Sequence, residues 1–225
     1  MWANIHSIWK NYFKIKTNVY NFYFSISLLM LTLFTFTEFL NFVESRMGTA
    51  LSDPILDTFN PVNLTWLIFF LIYAALIIGI VSSLSEPEKL LLLVQSYILM
   101  ILFRIFAMFV MPLNPPDNII ILNDPFVEYF GTGQMLTKDL FFSGHTATIF
   151  LFFLVSKNKF LKRLFLIFTI SVGFALLVQH VHYSIDIFAA PFFSYGSFRI
   201  VNKLYSEFHS KSLQTRGSLN DLNVS

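Results

Sequence analysis

The sequence predicts an all-α integral membrane protein, a bundle of six transmembrane helices with both termini in the cytoplasm. Three observations predict this fold class. Apolar residues make up 56% of the 225 residues and charged residues 12%, whereas a soluble domain carries about 25% charged residues. Apolar segments of membrane-spanning length recur along the chain, and basic residues concentrate on alternate connections between them. Apolar runs of this length meet lipid rather than water.

Six apolar segments approach the roughly 20 residues that a helix needs to cross a bilayer. We place them near Val19–Val43, Leu64–Ser83, Leu90–Met111, Leu140–Val155, Phe160–Val181 and Tyr183–Phe198. Residues 1–18, where lysines alternate with aromatic residues, are expected to form an interfacial leader before a membrane catalytic domain of residues 19–208. Residues 209–225 are polar and are expected to form a disordered tail.

The basic residues predict the orientation, because cytoplasmic loops of membrane proteins carry an excess of Lys and Arg. With six spans, the N-terminus, the second and fourth connections and the C-terminal tail share one side, which holds twelve basic residues. The opposite side holds two, Arg46 and Lys138. The first side is therefore predicted to be cytoplasmic. An odd number of spans would remove this asymmetry.

Composition also excludes several classes of function. The chain has no cysteine, which excludes disulfides, thiolate catalysis and Cys-ligated metals. Its net charge of +2 is too small to indicate a nucleic-acid partner.

Ionisable side chains inside spans cost about 2.5–3.5 kcal/mol each on insertion scales, so each one requires a reason. The topology places all of them in the extracytoplasmic half of the membrane or at its surface: Glu38, Arg104, His145, His180, His182 and Asp186. Polar groups that converge on one layer predict a buried active site. The alternative is a set of hydrogen bonds that pair the helices.

Two short strings in this layer carry chemistry. Ser143-Gly144-His145-Thr146 begins the fourth span, and a helix N-terminus offers backbone N–H groups and a positive dipole end to phosphate oxygens. In His182-Tyr183-Ser184-Ile185-Asp186, the histidine and the aspartate are spaced i, i+4 and would share one face if the segment is helical. A carboxylate on one imidazole nitrogen fixes the tautomer and leaves the other nitrogen nucleophilic.

Together these strings resemble the catalytic motifs of the sphingomyelin synthases, a branch of the type 2 phosphatidic acid phosphatase (PAP2) superfamily. The resemblance is carried by Asp139-Leu-Phe-Phe-Ser143-Gly-His145-Thr, by His180-Val-His182-Tyr-Ser-Ile-Asp186 and by Arg104-Ile-Phe-Ala-Met108-Phe-Val-Met-Pro112-Leu. The phosphatases of the superfamily carry a Lys-x6-Arg-Pro motif, which we do not find here. Ala175 and Leu176 also stand where those enzymes have Ser-Arg, and both departures favour the synthase branch.

The resemblance implies a lipid phosphotransferase that moves a phosphorylated headgroup from a phospholipid to a lipid alcohol, ceramide or diacylglycerol, through a phosphohistidine. His182 would be the nucleophile, Asp186 would orient it, and His145 would act as general acid and then as general base. Phosphate oxygens would be bound by Arg104, Ser143 and Gly144. No metal or cofactor is implied.

Other polar residues of this layer have less defined roles. Lys138, Tyr183 and Glu38 are candidates for headgroup binding or support, and Glu38 is alternatively an ion-pair partner of Arg104. The connection 114–139 carries Asp117, Asp124, Glu128 and Asp139 against Lys138, which either attracts a cationic headgroup or is ordinary solvated loop charge. His180 lies off the His182 face and is expected to be structural.

Two other functions remain open. A lipid phosphate phosphatase would use the same first step with water as the acceptor. A small transporter would need polar residues through the full membrane thickness, whereas the cytoplasmic halves of these spans are nearly all apolar. The sequence leaves the headgroup, the acceptor and the oligomeric state undetermined.

Overall fold

A computed structural model of the chain describes the backbone of residues 2–122 and 136–222 and the side chains of residues 5–122 and 136–207. The described residues form seven α-helices and no strand: α1 Trp2–Tyr12, α2 Lys16–Ser45, α3 Thr65–Ser83, α4 Pro87–Val110, α5 Gly144–Val155, α6 Lys159–Val178 and α7 Ser184–Leu222. A 3-10 turn, Leu56–Thr58, lies between α2 and α3. The predicted all-α class is therefore confirmed for the described part of the chain.

Four of the helices, α2, α3, α4 and α6, are long and apolar enough to cross a membrane. They coincide with the first, second, third and fifth predicted spans and indicate a multi-pass membrane protein. Helix α5 is apolar but has only 12 residues, and α7 contains most of the predicted tail as well as the predicted sixth span. The count of six spans and the orientation of the termini stay predictions.

Local sequence explains where several helices begin. Pro87 stands in the first turn of α4, where its missing N–H costs no hydrogen bond. The Asn158 side chain accepts hydrogen bonds from the backbone N–H groups of Phe160 and Leu161 and so caps α6. Ser143 caps α5 in the same way, through the N–H of Thr146. These caps fix the starts of the two helices on either side of the 156–158 connection.

The largest apolar cluster lies where α3, α5 and α6 meet. It is built around fully buried Ile68, Ala75, Leu151, Phe165 and Val172. Close packing is helped by glycine: a side chain at Gly79 would overlap the ring of Phe152. Because lipid is as apolar as these side chains, the cluster stabilises the bundle through close packing rather than through removal from water. Short α5 is held in the middle of this bundle.

One end of the bundle, here called the site end, gathers the C-termini of α2, α4 and α6 and the N-termini of α3, α5 and α7. The Arg46 guanidinium donates to the carbonyl oxygens of Met108 and Phe109 at the end of α4. Gln179 is fully buried, accepts from the N–H of Leu64 and donates to the hydroxyl of Thr65. These bonds fasten α2 to α4 and α3 to α6.

The connections at the site end also bind each other. The N–H of Thr49 donates to the carbonyl of Pro112 (2.9 Å), and the N–H of Asn114 donates to the carbonyl of Thr49 (3.0 Å). The α2–α3 connection therefore lies directly against the segment that follows α4. At the opposite end, the Trp9 indole donates to the Leu84 carbonyl, which places α1 against the α3–α4 turn.

Candidate active site

The two sequence motifs meet at the site end through a backbone hydrogen bond. The N–H of Ser143, just before α5, donates to the carbonyl of Asp186 in the first turn of α7 (3.1 Å). Ser143 is fully buried, and its Oγ accepts from the N–H and the hydroxyl of Thr146 (3.3 and 3.1 Å). Ser143 thus caps α5 and joins the motifs at the same time.

Arg104, on α4, reaches the N-terminus of α5. Its buried guanidinium forms an ion pair with Asp139 and lies 5.2 and 5.8 Å from the ring centroids of Phe36 and Phe142. It also lies against Gly144, where any side chain would overlap it. From the sequence, Gly144 was expected to help bind phosphate oxygens at the start of α5. In the structure, a side chain at this position would also displace the Arg104 guanidinium from its present place.

Both catalytic histidine candidates act electrostatically on the carboxylate of Asp139. Burial raises the pKa of this carboxyl, and the Arg104 guanidinium lowers it through its charge and a hydrogen bond. His182 and His145 lower the pKa as well. Together these charges outweigh burial, and the pKa of Asp139 lies below its ordinary value. Arg104 on α4, His145 on α5 and His182 just before α7 therefore all lie close enough to Asp139 to act on it electrostatically.

His182 and Asp186 form a buried pair. The imidazole Nδ1 and the carboxylate Oδ2 are 3.1 Å apart, and the two side chains are 3% and 0% exposed. Because a carboxylate only accepts hydrogen bonds, Nδ1 carries the proton of this bond and Nε2 is the nitrogen left for chemistry. The other carboxylate oxygen, Oδ1, is buried with no hydrogen-bond partner among the described residues.

Both motifs follow a residue with a left-handed backbone. Phe141 has φ of 74° and His180 has φ of 55°, an uncommon conformation for residues other than glycine. At His180 the N–H donates to the Leu177 carbonyl and the next N–H donates to the Leu176 carbonyl, which is the Schellman arrangement that ends a helix. Because α6 ends abruptly here, the connection to α7 is short, and His182 lies just before the first residue of α7.

The second motif is fastened to the connections at the site end by one of its own side chains, Tyr183, and by Asp53 of the α2–α3 connection. The Tyr183 hydroxyl donates to the Asn114 carbonyl (3.0 Å) and accepts from the N–H of Leu51 (3.1 Å). Asp53 Oδ2 accepts from the N–H of Ser184, the first residue of α7 (2.6 Å). Tyr183 was a candidate for headgroup support, and the structure places its buried ring among the connections. Sequence reasoning missed Asp53, since nothing in the sequence relates it to a segment 131 residues later.

Two other candidates, Lys138 and Glu38, are engaged elsewhere or exposed. Lys138 Nζ donates to the carbonyls of Glu44 (3.1 Å) and Arg46 (2.7 Å) and so binds the end of α2. Glu38 is exposed on α2. The alternative ion pair between Glu38 and Arg104 is therefore wrong, because Arg104 pairs with Asp139, which stands closer to it at the end of the connection.

His180 has neighbours of its own. It is buried, its ring meets Phe59 edge to face at 5.2 Å, and its Nδ1 lies 3.4 Å from the Asp117 carbonyl. It lines a polar cavity of about 210 Å³ together with Asp53 and Tyr183. Asp124 and Glu128, the other acidic residues of the predicted loop, lie outside the described residues. Within residues 2–122 and 136–222, no cluster of three or more His, Asp or Glu side chains is arranged to hold a metal ion.

The comparison with known families agrees with this geometry. A family model described as PAP2 superfamily C-terminal matches residues 138–204. This match supports the PAP2 superfamily. The matched segment is less than a third of the chain, yet it contains both motifs, from the residue before Asp139 to α7. Members of the superfamily act as lipid phosphatases or phosphotransferases. No curated protein matches the chain.

Proposed function

We propose that this protein is a lipid phosphotransferase of the sphingomyelin synthase type, which moves a phosphorylated headgroup from a phospholipid to ceramide or diacylglycerol. The observation that carries this proposal is the buried His182–Asp186 pair beside the start of α5, where Arg104 and His145 share the neighbourhood of one carboxylate. This arrangement offers a nucleophile, a proton carrier and a cation around one position, which is what phosphoryl transfer requires.

In the first half-reaction, His182 Nε2 attacks the phosphorus of a phospholipid. The P–N bond forms and the P–O bond to the diacylglycerol oxygen breaks. His145 donates a proton to this departing alkoxide, and the headgroup phosphate remains on His182. Asp186 accepts the Nδ1–H hydrogen bond throughout and stabilises the positive charge that develops on the imidazole.

In the second half-reaction, the hydroxyl of a lipid alcohol takes the place of the diacylglycerol. His145, now unprotonated, removes the hydroxyl proton while the oxygen attacks phosphorus. The P–N bond breaks, which returns His182 to its starting state and releases the new phosphodiester lipid. The backbone N–H groups at the N-terminus of α5 and the Arg104 guanidinium stabilise the phosphate oxygens in both steps.

The charges at the site favour a phosphodiester donor over a phosphomonoester. A diester carries one negative charge and a monoester nearly two. Among the described cations at the site end, Arg104 pairs with Asp139, Lys138 binds carbonyls at the end of α2, and Arg46 binds carbonyls at the end of α4. Of these three cations, only Arg104 remains available beside the histidines, and Asp139 already balances part of its charge. A second full negative charge on the substrate would be poorly compensated.

The acceptor is tested with purified protein in mixed micelles and a headgroup-labelled phospholipid, with and without ceramide or diacylglycerol. We expect label on the added alcohol. Label that appears only in water would support the alternative, in which the protein is a phosphatase or a phospholipase that transfers to water. The variant His182→Ala is the control for label released by any other activity in the preparation.

The donor is tested by initial rates on lipids with matched acyl chains in the same micelles. We expect phosphatidylcholine or phosphatidylethanolamine to be turned over faster than phosphatidic acid. Faster release of inorganic phosphate from phosphatidic acid than of diacylglycerol from the diester lipids would contradict the synthase-type proposal and favour the lipid phosphate phosphatase.

A further inference from the structure

The α2–α3 connection contributes a buried carboxylate to the second motif. Asp53 is 7% exposed, although it lies in a connection between helices. Its Oδ2 accepts from the N–H of Ser184 at 2.6 Å, and its Oδ1 accepts from the N–H of Ile55 at 3.0 Å. One side chain therefore fixes its own connection and the first residue of α7. This is the role of an N-cap, but the cap comes from a segment 131 residues away.

The residue that Asp53 holds lies between the two members of the buried pair. His182 precedes α7 by two residues, and Asp186 is in its first turn. The Nδ1–Oδ2 hydrogen bond between them spans this helix start, so its length depends on the first turn of α7 keeping its shape. The first N–H groups of a helix have no partner within the helix. Without Asp53, the N–H of half-buried Ser184 would lose its acceptor between the two members of the pair.

The pKa of Asp53 also reflects these hydrogen bonds. Burial raises the pKa of the carboxyl, but the hydrogen bonds from Ser184 and then from Ile55 and Leu56 outweigh burial, and the pKa lies below its ordinary value. The ionised form is thus the form that caps α7. A negative charge at a helix N-terminus is also favoured by the helix dipole.

We propose that Asp53 is a positioning residue for the transfer reaction: its carboxylate anchors the first turn of α7 and thereby keeps the imidazole of His182 hydrogen-bonded to Asp186. Asp53 acts through the backbone of Ser184 and does not touch the reacting phosphate. The inference goes beyond the proposed function, since it assigns a role to a residue outside the segment that the family model matches. Its kinetic consequence rests on the proposed function.

The test compares three variants. Asp53→Ala removes the cap. Asp53→Asn keeps an oxygen that accepts from the Ser184 N–H, because Asn caps helices about as well as Asp. Asp57→Asn is the matched control: Asp57 is exposed in the same connection, and the substitution removes the same charge without removing the cap. Each variant is purified in detergent and its thermal unfolding is recorded, so that loss of folded protein is separated from loss of function.

The first readout does not depend on activity. In ¹⁵N-histidine-labelled protein, the Nδ1–H of His182 should give a slowly exchanging imidazole signal, assigned by its loss in Asp186→Asn. We expect the signal to be lost in Asp53→Ala and kept in Asp53→Asn and Asp57→Asn. A folded Asp53→Ala protein that keeps the signal would overturn the proposal, and it would do so even if no lipid were turned over.

The second readout is the split between kcat and KM on a diester lipid. Misplacement of catalytic groups by about 1 Å costs up to about 100-fold in rate, so we expect kcat of Asp53→Ala to fall about 10- to 100-fold with KM unchanged. Asp53→Asn should recover most of kcat. An unchanged kcat in Asp53→Ala, or a fall of the same size in Asp57→Asn as in Asp53→Ala, would overturn the positioning role. If the wild type turns over no lipid, the proposed function fails and the imidazole signal alone decides on Asp53.

Discussion

Near the start of α5 the first motif lies beside an ion pair between two side chains, whereas at the start of α7 the second motif is held by side chains that hydrogen-bond to backbone groups. Arg104 pairs with Asp139. The Glu44 carboxylate fastens the preceding segment to α2, since it accepts from the hydroxyl and N–H of Thr137 and from the N–H of Lys138. At α7, Asp53 accepts from the Ser184 N–H and the Tyr183 hydroxyl binds two connections.

The difference follows from what each motif must do. Near α5 the substrate phosphate brings negative charge, so a fixed cation is needed, and a buried cation requires a partner such as Asp139. Near α7 the nucleophile must keep one tautomer and one orientation, which depends on the geometry of a helix start rather than on net charge. The first motif should therefore be sensitive to charge, and the second should be sensitive to backbone geometry.

The largest effect should come from removing the reacting groups of either motif. His182→Ala and His145→Ala should each abolish turnover of the labelled diester lipid while unfolding temperature in detergent stays close to that of the wild type. The exposed His6 of α1 supplies the control, and His6→Ala should keep full activity. Substantial turnover by His182→Ala would remove the phosphohistidine step from the mechanism.

The second motif is tested at its orienting carboxylate. Asp186→Asn should lower kcat by roughly 10²- to 10⁴-fold, because the nucleophile survives but the tautomer that exposes Nε2 is no longer enforced. The measurement is single-turnover formation of phosphoenzyme from a labelled diester lipid. An Asp186→Asn protein that forms phosphoenzyme at the wild-type rate would show that the buried pair does not orient the nucleophile.

The first motif is tested by changing the shape of its cation without changing its charge. Arg104→Lys should lower kcat/KM by about 10²-fold, because an ammonium cannot reproduce the planar fork that contacts Asp139 and the phosphate oxygens together. Lys162→Arg, at the opposite end of the bundle, is the control. Equal kinetics in Arg104→Lys and the wild type would reduce Arg104 to a structural ion pair.

Low pH should destabilise the contacts that hold both motifs. The pKa values of Asp139 and Asp53 are lowered in the folded protein, so each contributes stability above the unfolded value of about 3.9. That contribution is lost as pH falls below about 3.9 and through the folded pKa values. Unfolding temperature should therefore fall steeply below about pH 4. Asp53→Asn should show a shallower fall, and Asp57→Asn should follow the wild type. Parallel curves for all three would contradict the role assigned to the Asp53 carboxylate.

The smallest effect is expected at His180, where the backbone rather than the side chain is unusual. His180→Gly suits the left-handed conformation and should recover about 1 kcal/mol of backbone strain, offset by the lost contact with Phe59. Turnover should remain close to the wild-type rate, and the unfolding temperature should move by only a few degrees. Loss of turnover in a stably folded His180→Gly protein would show that the imidazole takes part in the reaction.

The sequence alone predicted much of the fold and the chemistry of the site. Apolar length predicted the helices that correspond to α2, α3, α4 and α6, because crossing a bilayer demands a run that few other structures need. The i, i+4 spacing of His182 and Asp186 predicted their contact, because residues four positions apart are close in any compact turn. The structure places only Asp186 in the helix, and His182 lies two residues before it. The position of Ser143 at the start of α5 was predicted from an equally local pattern, the Ser-Gly-His-Thr string.

Tertiary structure decided the contacts between residues far apart in the chain. The sequence suggested Glu38 as an ion-pair partner for Arg104, whereas the structure pairs Arg104 with Asp139. Which carboxylate an arginine reaches depends on helix packing, which no short sequence pattern encodes. Asp53 gave no signal, because an acidic residue in a connection is usually solvated and only folding brings it to Ser184. The left-handed backbone at Phe141 and His180 was also not predicted, because residues other than glycine adopt it only uncommonly. Their surroundings impose it by fixing where α5 and α7 begin.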